Sequence, residues 1–180
     1  MELNVLRANP AGNITLFVLD PVPIGGRAGL ASRLMALPGS DVEQVGFVCP
    51  PASGCAGRME MAGGEFCGNA ARAFGMLMAQ RLGGLPQVLV EVSGCGAPVT
   101  VDVDLSAGTA RAQMPLPRAV SPARVDGRSG VLVDLVGIAH LVVEDAPPAW
   151  SFSRGPNPFS RASRTWKPTA SFSWTQPGAL

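Results

Sequence analysis

Through about residue 145 the chain alternates short apolar runs with clusters of Gly, Pro, Asn and Ser, the pattern of strands joined by tight turns. Strands are predicted at Leu3–Arg7, Ile14–Leu19, Gln44–Val48, Arg58–Met61, Val88–Val92, Val99–Val103, Ala110–Met114, Val131–Val136 and Ala139–Val143, several of them alternating or valine-rich. Two segments break the alternation. One helix is expected from Ala28 to Leu37, led in by Gly25-Gly26 and ended by Pro38-Gly39. A second is expected from Gly68 to Leu82, stopped by Gly83-Gly84 with Pro86 beyond. Its Ala70, Ala71, Ala73, Phe74, Met76, Leu77 and Met78 leave almost no polar face, so it must be enclosed by protein on most sides. Consecutive strands wrapped around this one helix meet that demand, and the short turns favour antiparallel neighbours. The class is α+β.

Beyond Asp145 the pattern is lost. From Trp150 to Leu180 there is no Asp, Glu, Val or Ile, and Ser, Pro, Arg, Phe, Trp and Thr take their place. Such a stretch has no periodicity with which to bury a face. Two readings stay open for residues 150–180: a disordered tail, or translation in a changed frame from about residue 150.

Composition narrows the function classes. The chain has 180 residues, 47% of them hydrophobic, with 15% charged and a formal net charge of +1. That is enough for a packed core, and it does not suggest a nucleic-acid surface. The N-terminus lacks a basic region followed by an apolar run, and later apolar runs are interrupted, so no membrane span and a cytoplasmic location are expected. Cys49, Cys55, Cys67 and Cys95 form no C-x-x-C pair, and His140 is the one histidine. No metal site is expected, and in a reducing compartment the thiols are either buried or reactive.

The densest chemistry lies in Met61-Ala62-Gly63-Gly64-Glu65-Phe66-Cys67-Gly68-Asn69-Ala70-Ala71-Arg72. A strand ends, glycines turn the chain, and a thiol stands where the apolar helix begins. Helix-start N–H groups and the positive end of the helix dipole stabilise a thiolate and bind a carboxylate, and Gly68 lets that carboxylate come close. From the spacing alone Cys67 reads first as a small buried hydrophobe, the usual place of a lone cysteine, with a reactive thiol as the alternative. Glu43 and Gln44, taken alone, are the exposed start of a strand.

The segment Glu65-Phe66-Cys67-Gly68-Asn69-Ala70-Ala71-Arg72 resembles the C-G-N-G-x-R stretch around the first catalytic cysteine of diaminopimelate epimerases. Asn9-Pro10-Ala11-Gly12-Asn13-Ile14-Thr15 is similar to the early G-N-D-F segment of the same superfamily, whose asparagine contacts substrate. Together with Glu43-Gln44-Val45-Gly46-Phe47, Val92-Ser93-Gly94-Cys95 and Gln113-Met114-Pro115, these residues most resemble the histidine racemases of opine-metallophore (staphylopine-type) biosynthesis.

That resemblance implies two similar halves, each a β-barrel wrapped around a central helix, with the active site between them. Residues 1–115 would form the N-terminal barrel, 116–149 the start of an incomplete second half, and 150–180 the tail. The implied activity is cofactor-independent racemisation of an amino acid, with no cofactor, a small-molecule substrate, and a homodimer left open. Cys67 is the implied catalytic thiol, and Asn13, Glu43, Gln44, Gly68 and Asn69 the implied substrate-binding residues. Glu43 would pair with a cationic side chain such as imidazolium. Gly137-Ile138-Ala139-His140 stands where diaminopimelate epimerases carry G-N-P-H, so Ile138 replaces a substrate-holding asparagine while His140 is kept. His140 is either a satisfied strand-end histidine or a modulator of thiol ionisation.

Racemisation of this kind needs an acid and a base on opposite faces of Cα. The second thiol of the family lies in a C-G-[ST]-G segment, and none follows Cys67 here. The chain is therefore expected to be truncated or frame-shifted and inactive alone. A diaminopimelate epimerase, an enzyme borrowing its second thiol from another polypeptide, and a non-catalytic small-molecule-binding domain of the same fold are the alternatives.

Overall fold

The structure, a computed structural model, describes residues 2–52, 54–125 and 127–143. The expected tail from residue 150 lies outside the described residues. The chain divides into two units after Met114.

The first unit is one sheet of seven strands with a helix on each face. Its elements are β1 (Val5–Ala8), β2 (Thr15–Val18), α1 (Ile24–Met35), β3 (Gln44–Cys49), β4 (Gly57–Met61), α2 (Gly68–Arg81), β5 (Gln87–Val92), β6 (Val99–Asp104) and β7 (Thr109–Ala112). The strands keep chain order across the sheet, β1 to β7. The sheet curls around α2, whose Ala70, Ala71, Ala73, Phe74, Gly75, Met76, Leu77, Met78 and Ala79 are all buried. This is the enclosure that the all-round apolar helix requires.

Alternation along the strands sorts their side chains between two cores. Phe17 and Met59 join α2, with the Phe17 and Phe74 rings 6.0 Å apart. Leu16, Val18, Val45 and Phe47 pack against Leu30, Ala31 and Leu34 of α1. Two glycines permit the close approaches. At Gly46 a Cβ would lie 3.1 Å from both Phe17 and Met59 side-chain atoms, so the bare position lets these groups meet across β3. At Gly75 a Cβ would lie 2.5 Å from Val101, so α2 rests directly on β6.

The expectation of antiparallel neighbours throughout is corrected at two places. β2 pairs with β3, and β4 with β5, in parallel. In each case a helix carries the chain back along the sheet, so the next strand starts from the same end. The first helix also starts earlier than expected, at Ile24, with Pro23 in the N-cap position at φ −57°. Proline presets the backbone there, and Gly25 and Gly26 fall in the first turn, where the Gly26 N–H donates to the Pro23 carbonyl at 2.9 Å. The helix ends at Met35 rather than Leu37, and the strand expected to reach Met114 stops at Ala112.

The second unit contains β8 (Ala119–Val125), β9 (Arg128–Leu135) and β10 (Ile138–Val143), antiparallel in the order β10-β9-β8. β8 was not expected. Its Pro122 argues against a strand, but β8 is an edge strand, where proline is tolerated. Among the described residues no helix is long and apolar enough to cross a membrane.

Candidate functional site

The parallel pairing of β2 and β3 puts Thr15 opposite Gln44, at the starts of both strands. The amides of Glu43 and Gln44 both donate to the carbonyl of Ile14, at 3.0 and 3.2 Å, which fixes this end of the pair. β4 runs antiparallel to β3, with Met61 opposite Gly46, so the chain leaving β4 emerges near the start of β3. Six residues later it delivers Cys67 to that same end.

Cys67 is the N-cap of α2, with extended backbone angles (φ −128°, ψ 110°). Its sulfur accepts from the Ala70 N–H at 3.4 Å, and its carbonyl accepts the Ala71 N–H at 2.8 Å. A thiol here takes the place that Ser, Thr or Asp usually holds at a helix start. The loop before it is pinned by Ser93, whose hydroxyl accepts from the Met61 N–H at 2.9 Å and donates to the Glu65 carbonyl at 2.7 Å. Gly94 closes the same corner. Its φ is +73°, and a Cβ on it would lie 2.4 Å from the Phe66 nitrogen.

A continuous line of hydrogen bonds runs from this sulfur into β2. The Cys67 thiol donates to Gln44 Oε1 at 3.2 Å, and Gln44 Nε2 donates to Thr15 Oγ1 at 2.6 Å. The Thr15 hydroxyl donates to the Asn13 carbonyl at 3.3 Å. Asn13 Nδ2 donates to Glu43 Oε2 at 3.1 Å. Four of the residues expected at the site, Asn13, Glu43, Gln44 and Cys67, are thus brought together. Asn13 Oδ1 is a buried oxygen without a hydrogen-bond partner. Such an orphan acceptor costs on the order of 1–3 kcal/mol unless a donor reaches it.

Gly68 and Asn69 form the first turn of α2, where backbone N–H groups have no partner within the helix. The space over Gly68 is taken by the Met114 thioether, whose sulfur would lie 3.1 Å from an added Cβ. Asn69 Oδ1 accepts from Arg72 Nη2, so its oxygen is engaged and its amide NH2 is left as the donor. Burial lowers the Arg72 guanidinium from its ordinary value, while attraction to Cys67 raises it. Burial pushes the thiols of Cys49 and Cys95 up. His140 belongs to the second unit, half-buried on β10 opposite Val133.

Thr15, Arg72, Ser93 and Met114 were not among the expected site residues. Thr15 had a signal, since it is a polar residue inside an apolar strand and is fully buried.

A helix-capping thiol inside a curled sheet, with polar side chains from two strand starts bonded around it, defines one half of a diaminopimelate-epimerase-like protein. Residues 2–152 match the family described as the histidine racemase CntK N-terminal domain. A histidine racemase of Fusobacterium nucleatum subsp. nucleatum strain ATCC 23726 is 31% identical over 149 residues, covering 78% of this chain and 54% of the relative. A second, from strain ATCC 25586 of the same subspecies, is 32% identical with the same coverage. One from Staphylococcus aureus strain Mu50 is 37% identical over 90 residues, covering 48% of this chain and 33% of the relative. The chain belongs to the histidine racemase family and corresponds to its N-terminal domain. It spans about half the length of the curated relatives it matches.

Proposed function

We propose that this chain forms the thiol-bearing half of a cofactor-independent histidine racemase. The observation that carries the reading is Cys67 at the N-cap of an enclosed helix, bonded to Gln44 and Ala70, in a chain of the histidine racemase family. The α-carboxylate of the substrate would lie against the Gly68 and Asn69 N–H groups, displacing the Met114 thioether. The helix start then stabilises the negative charge that grows as Cα loses its proton. Cys67 as thiolate takes that proton, and as thiol returns one when the substrate has the opposite hand. Asn13 Oδ1, buried and unpaired, is placed to accept from the substrate ammonium, and Glu43 to face its imidazolium.

One thiol serves one face of Cα. No C-G-[ST]-G segment follows Cys67 in residues 1–180, so the other face would be served by a group on another polypeptide segment, and we expect these residues alone to racemise poorly or not at all. Two measurements test the function. L-Histidine should protect Cys67 from iodoacetamide saturably, and lysine should not. In heavy water, the chain mixed with the C-terminal half of the Fusobacterium racemase should yield D-histidine deuterated at Cα, and Cys67→Ser should abolish it. The absence of both protection and exchange would sink the histidine assignment.

A further inference from the structure

The hydrogen-bond line behind Cys67 has a fixed polarity, and that polarity can be traced to one residue. A backbone carbonyl only accepts, so the Asn13 carbonyl compels the Thr15 hydroxyl to donate to it. The single proton of that hydroxyl is then used, and toward Gln44 it can only accept. Gln44 must therefore present its NH2 to Thr15, as the 2.6 Å bond shows, and its carbonyl oxygen to the sulfur. Thr15 is fully buried, so water does not substitute for its hydroxyl.

We propose that Thr15 is a positioning residue for the Cys67 thiol, locking the Gln44 amide so that its oxygen rather than its nitrogen faces the sulfur. The consequence concerns which form of the sulfur each neighbour favours. An acceptor bonds only the protonated thiol and so favours it, whereas the Ala70 N–H favours the thiolate. Cys67 thereby has a partner in both of its protonation states, and its S–H bond is aimed. This deepens the function proposed above, since a group that alternately takes and returns a proton must be held in both forms. Among the described charged groups, Arg72 attracts the thiol, and Glu43, next to Gln44 in the chain, bonds Asn13. Neither is altered by the substitutions that follow.

Thr15→Val keeps the shape and removes the hydroxyl. The Gln44 amide is then released from its fixed orientation and can turn its NH2 toward the sulfur, where it stabilises the thiolate. The test is the rate at which iodoacetamide labels Cys67 in the full chain at pH 7, read by peptide mapping. Thr15→Val should label faster by about threefold or more. Thr15→Ser, which keeps the hydroxyl, should label at the parental rate. Gln44→Ala, which removes the acceptor and admits water, should also label faster, and adding Thr15→Val to it should change nothing further. A merely structural role for Thr15 would lower stability without this pattern.

Parental labelling in a folded Thr15→Val chain would overturn the proposal. So would a Thr15→Ser chain as fast as Thr15→Val, or an undiminished effect of Thr15→Val in the Gln44→Ala background. If Thr15→Val does not fold, Gln44→Ala decides, because a rate at or below the parental one removes the Gln44 acceptor from the account. Labelling needs neither substrate nor turnover. A failure here leaves the histidine assays standing, and a failure there leaves the Thr15 lock standing.

Discussion

Replacing Gly75 by alanine is ordinarily a helix-stabilising change, and in α2 it should do the opposite. In an exposed helix interior, glycine to alanine gains about 1 kcal/mol. Here the new Cβ would lie 2.5, 2.6 and 2.7 Å from Cγ1, Cβ and Cγ2 of Val101. Carbon atoms rest at about 3.5–4.0 Å, so α2 and β6 must separate by roughly 1 Å. Rotating Val101 gives no relief, because its own Cβ is among the three atoms. Overpacking of this kind costs about 1–3 kcal/mol, and the gap it opens would spread to Phe74 and Met76, buried on the same helix. After the propensity gain is subtracted, the net loss should be up to about 2 kcal/mol. Urea unfolding followed by far-UV circular dichroism measures it as a lower midpoint at unchanged slope. Trimming the partner to Val101→Ala leaves its Cβ in place and should not rescue Gly75→Ala. A Gly75→Ala chain more stable than its parent, or full rescue by Val101→Ala, would refute direct contact between α2 and β6.

Cys67 should be alkylated before Cys49 and Cys95, whose thiols are pushed up by burial; peptide mapping after limited iodoacetamide treatment at neutral pH checks the order. Gly94→Ala should drive the new methyl into the Phe66 backbone and force a left-handed φ on alanine, lowering stability by more than about 1 kcal/mol and shifting the Cys67 labelling rate, both measurable on one sample. Burial pushes the Glu60 carboxyl up, but hydrogen bonds from Arg58 and Arg27 outweigh it and hold the group below the ordinary carboxylate range. A depressed folded value means that this stabilisation is present above the unfolded value of about 4.5 and is lost as pH falls through the folded one. Glu60→Gln should accordingly flatten the acid limb of a thermal-melt series, and an unchanged limb would exclude the cluster as its source. Ser93→Ala should lower the melting temperature by several degrees, since the Met61 N–H and the Glu65 carbonyl would both lose a partner.

Much of this fold is legible in the sequence because the demands of α2 are extreme. A helix with almost no polar face must be wrapped, and valine-rich alternation in Val88–Val92 and Val99–Val103 supplies the wrapping. Legibility fails where local chemistry and tertiary context disagree. Pro122 hides β8, because a proline reads as a strand breaker until the strand is known to lie at an edge. Gly25-Gly26 conceals the start of α1, because the helix signal there is the preceding proline. Parallel pairing is invisible to turn lengths, since it depends on where a helix returns the chain. At the site, Cys67 announces itself by its place between Gly64 and a helix. Its bond to Gln44 does not, because two residues 23 positions apart meet only once the order β2-β3-β4 is known. Thr15 is inconspicuous for a similar reason: threonine is common in strands, and only complete burial marks it as unusual.

The strict chain order of the sheet has a consequence for the chain as it is made. Each strand finds its sheet neighbour in the segment synthesised just before it, so β1 to β4 can assemble without waiting for later residues. α2 is different. It leaves the ribosome after β4, yet β5, β6 and β7, which it packs against, come later. At an elongation rate of roughly 5–20 residues per second, its apolar surface stands uncovered for a few seconds before β7 is complete. A nascent chain arrested between Leu82 and Val99 should therefore be the species that chaperones capture and proteases cut, and one arrested well past Ala112 should escape both.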